Sequence, residues 1–244
     1  MNRKLDGKTA LATGGSAGRT GVVLVHGAWA DGSSWNEIIG PLLSKGLSVL
    51  AAPSPLTSLS DDIAALDRAL ERSPGPVVLV AHAYAGAVIA ANTNKRVQSL
   101  VFIAALAPDA GEAVAEMFYR DRRHPEVPQL ASDAHGLIWM PPEGFGAAFA
   151  QHASPERTAL FSATQRPIAV ACIQEKVPSP AWGAKPSWYL VAEEDRMINP
   201  VTQRFMAQRM GARIRAEKVD HTPLVTAPEV VIELILDAVA SLTT

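Results

Sequence analysis

Val78-Leu79-Val80-Ala81-His82-Ala83-Tyr84-Ala85-Gly86 decides how the rest of the chain is read. A continuous apolar run of strand character meets a small-x-X-x-small pattern, and an Ala-rich helical stretch follows. This is the frame of a nucleophile elbow, a sharp strand-to-helix turn that lifts one side chain above a sheet. The neighbours two residues to either side of the apex pack against the turn and must be small. Ala81 and Ala85 satisfy that. The helix N-terminus behind the turn aims backbone N–H groups at any negative charge that develops there. The apex is Ala83, whose methyl group has no reactive atom.

Working outward, apolar runs alternate with amphipathic stretches. Strands are predicted at Val22–Val25, Leu47–Ala51, Pro76–Val80, Val97–Ala104, Ser187–Val191 and Ile214–Val219. Helices are predicted at Ser34–Leu43, Leu59–Leu70 (with Ser60 or Asp61 as its cap) and Val230–Leu242. Buried strands separated by helices indicate an α/β protein with a mostly parallel, doubly wound sheet. Between Pro108 and Pro180 the rhythm breaks into Pro, His and large apolar residues, with short helices predicted at Gly144–His152 and Pro155–Thr164. The expected division is a core of residues 21–108 and 183–244 with a small helical cap, 109–182, inserted between strands. A cap there would cover the C-terminal edge of the strands, where open α/β sheets hold ligands.

Composition narrows the function. The chain has 244 residues, 48% hydrophobic and 19% charged, with a formal net charge of −2. That is enough for one globular domain with a sizeable core. The absence of a basic block argues against nucleic-acid or anionic-membrane partners. A single Cys172 excludes an internal disulfide, and the six His form no HxxxH or HExxH pattern, so no metal is expected. No apolar run is long enough for a transmembrane helix, and no apolar core of a signal peptide precedes Gly14-Gly15. A cytoplasmic protein acting on a small molecule is expected. An exposed apolar cap would also suit a homodimer.

An elbow of this kind requires an acid next in the chain and a histidine last. Strand Ser187–Val191 runs into Glu193-Glu194-Asp195-Arg196, and strand Ile214–Val219 runs into Asp220-His221-Thr222. Upstream, His26-Gly27-Ala28-Trp29 follows the first core strand. From Gly21 to the C-terminus the chain resembles the α/β-hydrolase superfamily. Within it, the chain is similar to the small-cap branch of esterases, methylesterases and hydroxynitrile lyases. The matching segments are VVLVHGAWADGSSW, PVVLVAHAYAGAVI, FIAALAPDAGE, PSWYLVAEEDRMI and VDHTPLVTAPEVV. The resemblance implies Asp195 as the triad acid, with Asp109 a weaker candidate, and His221 as the base. It also implies the Ala28 and Tyr84 amides as the oxyanion hole. Where the lyases carry a lysine after the histidine, this chain has Thr222, which argues against cyanohydrin chemistry. The family's elbow reads GHSxGG, and this chain departs from it at Ala81, Ala83 and Ala85. Only the middle change removes chemistry.

The aromatic content of the cap and of the first loop makes Trp29, Phe118, Trp139, Phe145 and Phe149 candidate pocket residues. The substrate expected is a small, largely apolar ester or related carbonyl compound. Lys8 to Gly18 resembles the opening of short-chain dehydrogenases, but Thr20 stands where a further glycine is expected and a strand follows at once. No dinucleotide cofactor is expected, and residues 1–20 read as a tail or an added edge strand. Ala83 leaves three accounts open: a serine esterase deliberately disarmed, a natural homologue that only binds, or an enzyme using His221 and Asp195 as a general base.

Overall fold

The computed structural model describes residues 19–73 and 75–242. The dehydrogenase-like stretch and nearly all of the expected tail lie outside them. Six strands form one sheet: β1 (Gly21–Val25), β2 (Ser48–Ala52), β3 (Val77–His82), β4 (Val97–Ile103), β7 (Ser187–Ala192) and β8 (Arg213–Glu217). Their order is β2-β1-β3-β4-β7-β8, and every pairing is parallel. β5 (Leu137–Ile138) and β6 (Ile168–Ala169) pair separately, as a two-residue antiparallel ribbon.

Period-two alternation sends strand side chains to two apolar layers. Val22, Leu24, Val78, Val80, Val101 and Ile103 pack with helices Asn36–Ser44 and Pro228–Ala240. Val23, Val25, Leu79, Phe102, Tyr189 and Val191 face helices Leu59–Glu71, Ala85–Ala90 and Pro200–Arg209. Trp35, Ile38 and Leu42, at helical spacing, are all fully buried. Burial of each such side chain is worth about 2 kcal/mol. Helix Leu59–Glu71 is capped by Ser58, whose side chain accepts from the Asp61 amide, and not by Ser60 or Asp61. Ser58 is the extended residue just ahead of the first turn, and only that position can reach the free amides.

The excursion between β4 and β7 holds helices Val114–Phe118, Pro155–Thr164 and Val170–Gln174, with a π-helical turn at Phe145–Phe149. That turn replaces most of the longer helix predicted at Gly144–His152, and the Ala150 amide reaches back to the Phe145 carbonyl at 2.8 Å. The excursion is tied to the loops at the C-terminal edge of the sheet. Gln151 donates to the Glu194 carbonyl, Arg196 to the Ala147 carbonyl, and the His152 amide to Asp220. The Thr222 hydroxyl donates to the Phe149 carbonyl.

Candidate active site

The elbow is present in backbone geometry. β3 ends at His82, and Ala83 sits at φ 51°, in the left-handed region. For a residue with a Cβ this costs about 1–2 kcal/mol. Surrounding bonds hold it there. The Ala83 amide donates to the Ile103 carbonyl at 3.3 Å, and the Ala83 carbonyl accepts from Leu106 at 2.9 Å and Gly86 at 3.1 Å. Two glycines permit the close approach. A Cβ on Gly86 would lie 2.3 Å from the Leu106 carbonyl oxygen, and one on Gly27 would lie 2.9 Å from the Ala83 Cβ. The loop after β1 is thereby pressed against the elbow. Neither the Ala28 nor the Tyr84 amide donates to a backbone carbonyl among the described residues.

The expected acid and base, Asp195 and His221, meet. His221 Nδ1 lies 2.8 Å from Asp195 Oδ2, and both residues are buried. Asp195 is fully engaged: Oδ1 accepts from the Met197 and Ile198 amides at 2.7 and 2.9 Å, and Oδ2 also accepts from Gln203 Nε2 at 2.7 Å. A carboxylate surrounded by donors fixes the His221 tautomer, with the proton on Nδ1 and a lone pair on Nε2. Asp109 lies elsewhere, its Oδ1 accepting from the Ala110 amide.

A cavity opens above Ala83. Ala28, Trp29, Ala83, Tyr84, Phe118, Phe149 and His221 all line it, with Leu106, Met197 and Ile198 among the further apolar walls. Two of the predicted pocket aromatics are misplaced. Trp139 is 47% exposed, and its indole turns outward to Asp133 at 3.2 Å. Phe145 is fully buried behind the wall, edge-on to Phe149 and stacked on Phe161, so it supports Phe149 and does not line the cavity.

The alpha/beta hydrolase family model matches residues 22–234. The chain belongs to this family. Among solved structures the hydrolase resembles polyneuridine aldehyde esterase, at 19% identity and TM-score 0.79 over 90% of this chain and 99% of that one. It also resembles an extracellular α/β-hydrolase from a Paenibacillus species, at 21% identity and TM-score 0.74 over 90% and 98%. A tomato methylketone synthase I mutant superposes at TM-score 0.78 with 17% identity, over 91% and 98%. No curated protein matches the chain.

Three buried groups of this α/β hydrolase escaped the reading of the sequence. Gln203 bonds Asp195. Asp62 accepts from the Tyr84 hydroxyl at 2.7 Å and from the Leu56 amide at 2.8 Å, and burial pushes its carboxyl up from the usual range. His82 Nε2 lies 2.7 Å from the His221 carbonyl oxygen and donates to it, anchoring the loop that carries His221. Asp62 had a faint signal, as a carboxylate on the apolar face of its helix. Gln203 had none. Among the described residues no group of His, Cys, Asp and Glu is placed to hold a metal, and no helix is long and apolar enough to cross a membrane.

His82 and His26 are both buried, and desolvation drives both imidazoles below 6.5, His82 far below. The unfolded chain binds protons at these positions before the folded one does. Stability from this source is therefore complete above pH 6.5 and declines as pH falls below it. Denaturant midpoints should fall between pH 7.5 and pH 5.5, and a His82→Gln variant, whose amide keeps a donor near the His221 carbonyl, should lose part of that slope. An unchanged slope in that variant would remove His82 from the account.

Proposed function

We propose that this chain is built around an esterase-type site for small, largely apolar esters or related carbonyl compounds, with the covalent route closed at Ala83. One observation carries the reading: Ala83, the Asp195-bonded His221 and the Ala28 and Tyr84 positions all converge on a single apolar cavity. In such a site the base would activate a hydroxyl at position 83, and the two amides would stabilise the tetrahedral oxyanion. A methyl group at position 83 leaves the base and the amides without an attacking atom. The test is an ester-panel assay of the Ala83→Ser variant, whose expected outcome opens the Discussion.

A second reading is favoured by the free Nε2 of His221. This nitrogen has no protein partner among the described residues and belongs to a side chain that lines the cavity. A positioned, carboxylate-backed imidazole is sufficient for general-base attack by water or for proton abstraction next to a carbonyl. The fold is shared by an esterase and a synthase, so fold alone does not choose between the readings. If the second holds, the unaltered Ala83 chain turns over a carbonyl substrate, and His221→Ala lowers kcat by about 10²–10⁴-fold, the range ordinary for a general base. Turnover that survives His221→Ala would dismiss it.

A further inference from the structure

A polar basin lies beside the apolar cavity, and the two are lined by adjacent stretches of chain. Phe118 and Tyr119 face the cavity, while Arg122 and Arg123 line the basin. Met197 and Ile198 face the cavity, while Arg196 lines the basin. Tyr119 is 53% exposed although it lines the cavity, so it marks the mouth. The Arg123 guanidinium sits 5.5 Å from the Tyr119 ring centre and 5.4 Å from that of Phe118, placing a cation at that mouth.

The basin holds three guanidiniums and three carboxylates that are not paired with one another. Its three carboxylates are already engaged: Glu193 with Arg204, Glu194 with His152 at 3.2 Å, and Asp195 with His221. No carboxylate pairs with Arg122, Arg123 or Arg196 among the described residues. Arg123 donates to the Pro128 carbonyl and Arg196 to the Ala147 carbonyl, which hold these side chains without neutralising them. Arg123 Nε is buried and has no partner, a costly condition for a charged donor. These guanidinium donors, matched in number by the basin's carboxylates but not paired with them, stand at the entrance to the apolar cavity.

We propose that the basin binds the carboxylate end of an amphiphilic ligand whose apolar body fills the cavity above Ala83. Arg122, Arg123 and Arg196 are the anion-binding groups. The inference rests on reading that cavity as the carbonyl-compound pocket, and it narrows the substrate class to carboxylate-bearing esters or ketones. A guanidinium matches a planar carboxylate with two parallel N–H donors. Glu193 and Glu194 on the same rim select against a polyanion, because a second ligand charge would meet them.

Binding to the unaltered chain tests this without any turnover. Calorimetry with fatty carboxylates from hexanoate to decanoate, each compared with its neutral amide, measures what the charge contributes. For the best-fitting chain length the carboxylate should bind about tenfold tighter than the amide at low salt, and the advantage should shrink as salt screens the exposed guanidiniums. An Arg122→Ala/Arg123→Gln double variant should remove that advantage and leave amide affinity in place. Equal affinity of acid and amide would overturn the proposal. So would a carboxylate advantage that survives the double variant and disappears in His221→Ala, since the anion would then lie at the base and not in the basin. An inert Ala83→Ser enzyme would count against the esterase reading while leaving this binding result intact. An active Ala83→Ser enzyme with no Arg-dependent carboxylate preference would do the reverse.

Discussion

Ala83→Ser should raise kcat for short aryl esters by about 10⁶-fold over the unaltered chain, equivalent to about 8 kcal/mol of transition-state stabilisation. The size of the effect follows from how little else has to change. Position 83 already has the left-handed backbone an elbow needs, fixed by bonds to Ile103, Leu106 and Gly86. The added Oγ would sit in a cavity that also holds His221, whose Nε2 is free to accept its proton. The Ala28 and Tyr84 amides use no side-chain atoms, so the identity of residue 83 leaves them unaltered. Burst kinetics with p-nitrophenyl acetate and butyrate would reveal the acyl-enzyme directly. A variant that folds but hydrolyses these esters no faster than the unaltered chain would show that more than one oxygen separates this site from an esterase. The His221 general-base reading would then gain.

The sequence announced this site because its parts obey local rules. Small residues flank the elbow, glycines stand where a Cβ would collide, and Asp195 and His221 each follow a strand, β7 buried and β8 largely exposed. Five strand positions were legible for the same reason, as apolar runs bounded by turn residues, whereas β8 is a charged, largely exposed edge strand. The pocket wall was less legible. Trp139 and Phe145 were assigned to it on aromatic character, yet one faces Asp133 at the surface and the other backs Phe149 from the core. Composition identifies an apolar cap without identifying which faces turn inward. Helix Pro200–Arg209 was missed because Thr202 and Gln203 are among its buried residues, which blurs the apolar stripe. Gln203 is buried for its bonds to Asp195, Ile198 and Ala192, a long-range reason that no local pattern encodes.

Those bonds set the second large expectation. In the Ala83→Ser background, Asp195→Asn should lower kcat by about 10⁴-fold with little change in KM. Every group touching Asp195 is a donor: the Met197 and Ile198 amides on Oδ1, Gln203 Nε2 and His221 Nδ1 on Oδ2. Asparagine keeps the shape but offers one acceptor oxygen. The two backbone amides cannot move away, so the oxygen stays with them and the new NH₂ faces His221. His221 can then only accept at Nδ1, which moves its proton to Nε2 and directs an N–H at the serine where a lone pair is needed. The base is lost through its tautomer, not its position. Gln203 is left with an acceptor deficit, because its Oε1 already accepts from the Ala192 amide, so a modest fall in stability should accompany the loss of rate. Stopped-flow acylation and a urea titration on the same variant separate the two effects. Loss of stability with acylation still fast would reduce Asp195 to a structural role and require another group to orient His221.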